Sequence, residues 1–204
     1  MAYRRILAIG AHPDDIELGC FGALARFHSE GAEVALLVLT DGEDGGPSLE
    51  RRRETIDAAA LIDAEVSFGA FPSAEVTLRP RDAIALIEYM YAACHPDVVI
   101  THTRTDQHQD HRAIADATFS ATRRWPGRVL CYDSTRGMNQ FHPTYFVNID
   151  GFLPDKLKAI SIHASQAHRH YMDERAVIAE AESWGRRLGN QGVYEAFEVR
   201  VFVE

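Results

Sequence analysis

The chain has 204 residues, enough for one domain with a substantial core, and its 46% hydrophobic and 25% charged residues form an ordinary globular mixture that excludes intrinsic disorder. A formal net charge of -9 repels phosphate backbones and anionic lipid heads, so neither nucleic acid nor a membrane surface is an expected partner. No apolar run reaches the roughly 20 residues of a membrane helix, and Met1 to Ile6 lead straight into a strand-like run without a signal-peptide core, which predicts a cytoplasmic protein.

In chain order, the first predicted element is a buried strand over Arg4 to Ile9, followed by a loop, Gly10 to Glu17, and a helix over Leu18 to Ser29. A strand over Glu33 to Thr40 runs into the glycine-rich Gly42 to Gly46 loop. There Glu43 and Asp44 are candidates for the edge of a pocket. A helix over Leu49 to Ile62 follows, with Arg51-Arg52-Arg53 read as a solvated face. Next come a strand over Val66 to Phe71, a helix over Arg81 to Ala93, and a strand over Asp97 to Thr101. The segment Thr101 to His111 holds three histidines and two aspartates, and a helix over His111 to Arg124 leaves it. The remainder offers strands at Val129 to Asp133, Tyr145 to Asn148 and Ala196 to Val203, with helices near Asp155 to His163 and Met172 to Leu188. Gly137 to Pro143 reads as a loop, and His142 in it is a candidate for the pocket mouth.

This alternation predicts a single α/β domain over 1–204, a Rossmann-like three-layer fold with a mostly parallel sheet. In such sheets the ligand sits beyond the carboxyl ends of the strands, where strand order reverses. With the common order 3-2-1-4-5, the loops after the first and fourth strands meet at that point. They are also the two segments richest in histidine and aspartate. The first loop lacks GxGxxG, so a dinucleotide is not expected. Cys20, Cys94 and Cys131 are far apart and form no CxxC pair, so they read as reduced thiols and not as a zinc site.

Two histidines and one carboxylate drawn from these loops suit zinc with an open fourth position, the catalytic pattern. A spare carboxylate can then act as general base, and a spare histidine as acid or oxyanion stabiliser. The same ligand set also binds iron(II), so a non-haem oxygenase and a non-catalytic metal-binding protein are the competing readings. The oxygenase fold is usually β-rich, against the α/β periodicity seen here.

Ala11-His12-Pro13-Asp14-Asp15 resembles the AHPDD signature of the LmbE-like, or PIG-L, family of de-N-acetylases, and His108-Gln109-Asp110-His111 is similar to its HPDH motif. The resemblance extends to Leu39 to Glu43, to the RxxE element Arg51 to Glu54, to Pro96 to His102, and to a late K…HxSQ segment over Lys158 to Gln166. It implies His12, Asp15 and His111 as zinc ligands (iron(II) being the other candidate ion) and Asp14 as general base. It further implies that His108 polarises the acyl oxygen and assists the leaving amine, that Asp110 orients His108, and that Arg51 binds sugar hydroxyls. The implied partner is an N-acylated small molecule, a sugar derivative, and a homo-oligomer is compatible with the pattern. Gln109 stands where the family has proline, and Phe71-Pro72-Ser73 replaces a P-D-G turn that helps relatives hold the sugar. The group His163, His168 and His170 has no carboxylate arranged around it in sequence and reads as surface or supporting residues.

Overall fold

Side-chain alternation in the first strand decides the layering. In β1 (Arg5–Gly10), Ile6 and Ala8 enter one apolar cluster while Leu7 and Ile9 enter another. In β2 (Glu33–Thr40), Leu36 and Val38 divide from Leu37 and Leu39 in the same way. Successive residues of a strand point to opposite faces, so strands apolar on both faces must be covered on both.

A computed structural model describes residues 3–125, 127–134 and 140–203. Its sheet runs in the order β3-β2-β1-β4-β5-β7-β6, with β3 (Glu65–Phe71), β4 (Val98–His102), β5 (Arg128–Tyr132), β6 (Tyr145–Asn148) and β7 (Tyr194–Phe202). The first five in that order pair in parallel, whereas β7 is antiparallel to both β5 and β6. One face is covered by α1 (Asp15–Ser29), α2 (Ser48–Ala59) and α5 (Leu153–Ile162), the other by α3 (Pro80–Cys94) and α4 (Gln109–Thr122). Helix α6 (Glu174–Arg187) packs on β7. No helix among the described residues is long and apolar enough to cross a membrane.

The expected three-layer α/β fold is therefore present, and each predicted strand and helix has a counterpart. Helices α1 and α4 begin at Asp15 and Gln109, ahead of the predicted Leu18 and His111. The added residues, Asp15-Ile16-Glu17 and Gln109-Asp110, are mostly charged or polar and too few to show a hydrophobic period. Positions 137–139 of the predicted Gly137 to Pro143 loop lie outside the described residues. Cys20, Cys94 and Cys131 are unbridged, with Cys20 and Cys131 buried.

Two contacts set the position of α1, the helix that opens with the AHPDD loop. Gly19 lies against Tyr132 of β5 so closely that an added Cβ would fall 2.1 Å from the ring. The Tyr132 hydroxyl in turn donates to the Ile9 carbonyl at 2.9 Å. The second contact is a buried ion pair between Lys156 and Glu195, 2.5 Å apart. Lys156 also donates to the carbonyls of Glu17 and Leu18, at 3.3 and 2.6 Å. Glu195 accepts from the backbone N–H groups of Gly22 and Ala23, at 3.0 and 2.6 Å. In a regular helix the Gly22 N–H serves the Leu18 carbonyl, so the pair reaches into the α1 ladder. Lys158, at the start of the late motif, is exposed, and Lys156, half a turn earlier on α5, is the buried lysine.

Candidate metal centre and catalytic pocket

Strands β1 and β4 are direct neighbours, with Ala8 opposite Ile100. Their carboxyl ends therefore bring the AHPDD loop against Thr103 to His108. The join is sealed by the Ala11 N–H, which donates to His102 Nε2 at 3.0 Å, and by the Thr40 N–H, which donates to the Ala11 carbonyl at 2.9 Å.

Across this seam three side chains converge. His12 Nδ1 lies 3.3 Å from Asp15 Oδ2 and 3.3 Å from His111 Nε2, and His111 Nε2 lies 3.2 Å from Asp15 Oδ1. Ligands about 2.0–2.1 Å from a tetrahedral zinc stand about 3.3–3.4 Å apart. The two imidazole nitrogens have that spacing, and Asp15 offers a different carboxylate oxygen to each of them. Each histidine turns its other nitrogen to a carboxylate. His12 Nε2 is 3.0 Å from Asp110 Oδ2, and His111 Nδ1 is 2.9 Å from Asp106 Oδ2. Carboxylate-backed imidazoles are the usual support of a metal site, because the second bond fixes tautomer and ring orientation.

Two further histidines border the cluster. His102 with Asp15 and His111, and His108 with His12 and His111, also bring three donor atoms within 4.8 Å of one another and could share an ion. His102 spends its Nε2 lone pair on the Ala11 N–H, and His108 spends Nδ1 on the Asp110 N–H at 3.2 Å as the N-cap of α4. Burial, reinforced by His111, pushes His102 down to about 4. Burial opposes charge on His12 and His111 as well, yet carboxylates prevail and raise them to about 9 and about 10. Asp110 and Asp15 act on His12, and Asp15 and Asp106 on His111. Asp15 is held well below the ordinary carboxylate range, because His111 and His102 outweigh its burial.

Asp14 is the residue preceding α1 and has a positive φ of 107°, a region costly for any residue but glycine. Its carboxylate is buried, which with the nearby Asp15 charge raises its pKa. Arg51 braces this conformation. Its guanidinium donates to the Gly42 carbonyl at 2.8 Å and to the Pro13 carbonyl, and stands 3.1 Å from Asp14 Oδ2. A Cβ on Gly42 or Gly45 would lie 2.3 or 2.6 Å from the same guanidinium nitrogen, so the glycine-rich loop wraps it closely.

These residues border one cavity of about 370 Å³, lined by His12, Asp14, Asp15, Arg51, His108, Asp110 and His111 among others. Several expectations need correction. Asp110 was expected to orient His108; its backbone N–H does hold His108 Nδ1 at 3.2 Å, whereas its carboxylate lies 4.0 Å from that atom and 3.0 Å from His12 Nε2. Arg51, expected on the substrate, does line the cavity, but it is buried and not on a solvated face, with Nη1 and Nη2 on the Gly42 and Pro13 carbonyls and Nε without a hydrogen-bond partner among the described residues. Glu43 does not line the cavity, because its carboxylate accepts from the Ser73 N–H and hydroxyl at 2.6 and 3.0 Å. His142 is exposed and outside the lining, its N–H bound to Glu198 at 2.9 Å.

The late histidine group divides. His163 is buried, with Nε2 3.2 Å from Glu17 and Nδ1 3.9 Å from Glu54, whereas His168 and His170 are exposed. Glu54, the last residue of RxxE, accepts from the Ser165 N–H and hydroxyl at 2.7 and 2.6 Å, and Gln166 donates to the Gly45 carbonyl at 3.0 Å. The RxxE and HxSQ elements thus hold each other. Sequence reading assigned no role to Asp106, Ser134, Gln166, Arg169 or Tyr171. Gln166 carried a signal as the last residue of HxSQ, and Asp106 as a turn-former that accepts the His108 N–H at 2.8 Å just before α4.

Comparison with known proteins bears on this arrangement. Residues 7–122 match the model of the PIG-L family, described as GlcNAc-PI de-N-acetylase. An uncharacterized deacetylase of Escherichia coli, YaiS, is 34% identical over 168 residues, covering 78% of this chain and 90% of that protein. The 1D-myo-inositol 2-acetamido-2-deoxy-alpha-D-glucopyranoside deacetylase of Rhodococcus jostii is 36% identical over 154 residues, covering 71% of this chain; the chain spans 50% of that longer protein. The crystal structure of the conserved protein TT1542 from Thermus thermophilus superposes with a TM-score of 0.83 at 27% identity, covering 98% of this chain and 95% of that one.

Proposed function

The chain belongs to the PIG-L family, and from that premise we propose that residues 1–204 act as a metal-dependent amide hydrolase that deacetylates an N-acetylated sugar derivative. The observation that carries this reading is the 3.3 Å approach of His12 Nδ1 and His111 Nε2, with a different Asp15 oxygen 3.2–3.3 Å from each, in the cavity that Asp14 and His108 also line. His12 Nδ1, Asp15 and His111 Nε2 would hold the ion, and zinc fits the mixed imidazole–carboxylate set and its spacing. Zinc there would supply Lewis acidity and bring the pKa of a water to about 7.

The protein's own groups do the rest. Asp14 is buried, its Oδ2 stands 3.1 Å from the Arg51 guanidinium without making a hydrogen bond, and this carboxylate can receive the proton of the attacking water. His108, half exposed and with Nδ1 accepting the Asp110 N–H, presents its Nε2–H to the acyl oxygen, and the proton held by Asp14 passes to the departing nitrogen. Asp110 and Asp106 keep the two ligand imidazoles aimed. The RxxE–HxSQ clasp closes the cavity wall around Gly45 and Gln166.

Incubation with N-acetylglucosamine, its glycosides and acylated metabolites, with metal analysis of the same sample, should yield primary amine and acetate in equal amounts. A fully zinc-loaded sample that releases neither would end the hydrolase reading. Oxygen consumption dependent on an oxoacid would instead favour the oxygenase. A second expected result concerns support of the ion. Asp106→Asn should weaken metal affinity by roughly 10–100-fold, read by competition with a chromogenic chelator, with little change in the circular dichroism spectrum.

A further inference from the structure

Resting on the amide-hydrolase reading, we propose that the substrate carries an anionic group, a carboxylate or a phosphate, remote from its acyl amide, and that Arg169 with the adjacent His170 receives it. Two arginines line the cavity. Arg51 is buried, its Nη1 and Nη2 held by the Gly42 and Pro13 carbonyls and by Asp14, which leaves Nε without a hydrogen-bond partner among the described residues. Arg169 is exposed, and among the described residues its side chain has no hydrogen bond or ion pair.

Arg81, Arg124 and Arg175 share that freedom among the described residues, but none of them lines the cavity. With 30 acidic residues to 21 basic ones, Arg26, Arg52, Arg53, Arg79, Arg104, Arg123 and Arg186 all find a carboxylate. Asp44 also lines the cavity and is exposed, yet it forms no ion pair with Arg169.

The backbone under Arg169 is nonetheless fixed. Its N–H donates to the Gln166 carbonyl at 2.8 Å, and its carbonyl accepts from the Met172 N–H at 3.0 Å. Gln166 is itself buried and tied to Gly45. The Tyr171 phenol next in sequence feels both the Asp14 carboxylate and the Arg169 guanidinium, so the free fork belongs to the same chamber as the candidate base. A guanidinium offers five donors and no acceptor, and in planar geometry it matches an oxyanion far better than a lone hydroxyl. Asp44 is the complementary group for sugar hydroxyls. The chamber therefore has metal and base at one part, a hydroxyl acceptor at the rim, and an oxyanion receptor on the Gln166 to Tyr171 segment.

The test is direct binding to the zinc-loaded protein, measured by calorimetry with glucosamine, glucosamine 6-phosphate and glucuronic acid. One of the two anions should bind about ten- to a hundredfold tighter than glucosamine, and which one identifies the group. Arg169→Gln should bring that ratio toward one, Arg169→Lys should keep part of it, and added salt should lower it. Absence of any anion preference in the wild type, whether from equal binding or from none, overturns the proposal. An undiminished preference in Arg169→Gln overturns it too. Amine release from the N-acetyl counterparts is scored separately. A retained anion preference without any amine release would sink the hydrolase reading and leave the receptor standing.

Discussion

Asp14→Asn should lower turnover by roughly 10²–10⁴-fold while leaving the metal content unchanged. Asparagine is the informative replacement for two reasons. It tolerates the positive φ that Asp14 adopts, so the loop need not rearrange. It also keeps the shape of the side chain and the neighbour of Arg51 while removing the ability to take a proton. His111→Ala should behave in the opposite order, losing the ion first and activity as a consequence. Steady-state rates paired with metal stoichiometry on the same preparations separate the two variants. An Asp14→Asn protein with wild-type turnover would transfer the role of base elsewhere, and His108 would be the next residue to test.

The largest stability effect is expected far from the chemistry, at Lys156. Removing one partner of a buried pair strands the other, a loss of about 3–5 kcal/mol in typical cases. Lys156→Met would leave the Glu195 carboxylate without its counter-charge between α1 and β7, and would also release the Glu17 and Leu18 carbonyls. At about 2–4 °C per kcal/mol for a chain of this size, the melting temperature should fall by roughly 6–20 °C. Arg186→Ala, which breaks an exposed i,i+4 pair with Glu182, should cost about 0.5 kcal/mol or less and serves as the control. A Lys156→Met protein that melts within a degree or two of wild type would show that the pair adds nothing to its uncharged replacement.

The sheet was legible because its strands are apolar on both faces and its helices repeat with a helical period, so Ile6 to Ile9 and Leu36 to Leu39 declare themselves without tertiary information. The neighbouring loops followed from the sheet order. What sequence could not supply was the partner of each polar side chain. Asp110 sits two residues from His108, and proximity along the chain pairs them; the first turn of α4 instead turns its carboxylate toward His12, a residue 98 positions away. Arg51 reads as a surface arginine beside Arg52 and Arg53, because nothing local reveals two loops folding over its guanidinium. Glu43 faces Ser73 for the same reason. Long-range polar pairing has no periodicity, and it is there that the expected roles shifted.

The seam between β1 and β4 has a consequence for the order of folding. His12 and Asp15 follow β1, His111 follows β4, and two complete strands with their helices separate them in the chain. Neither half of the ligand set can grip an ion alone. The site comes into being only when these distant parallel strands find each other, a pairing that closes a long loop and is intrinsically slow. An ion that binds this geometry is therefore a latch and not a nucleus: it leaves the rate of assembly alone and slows its undoing.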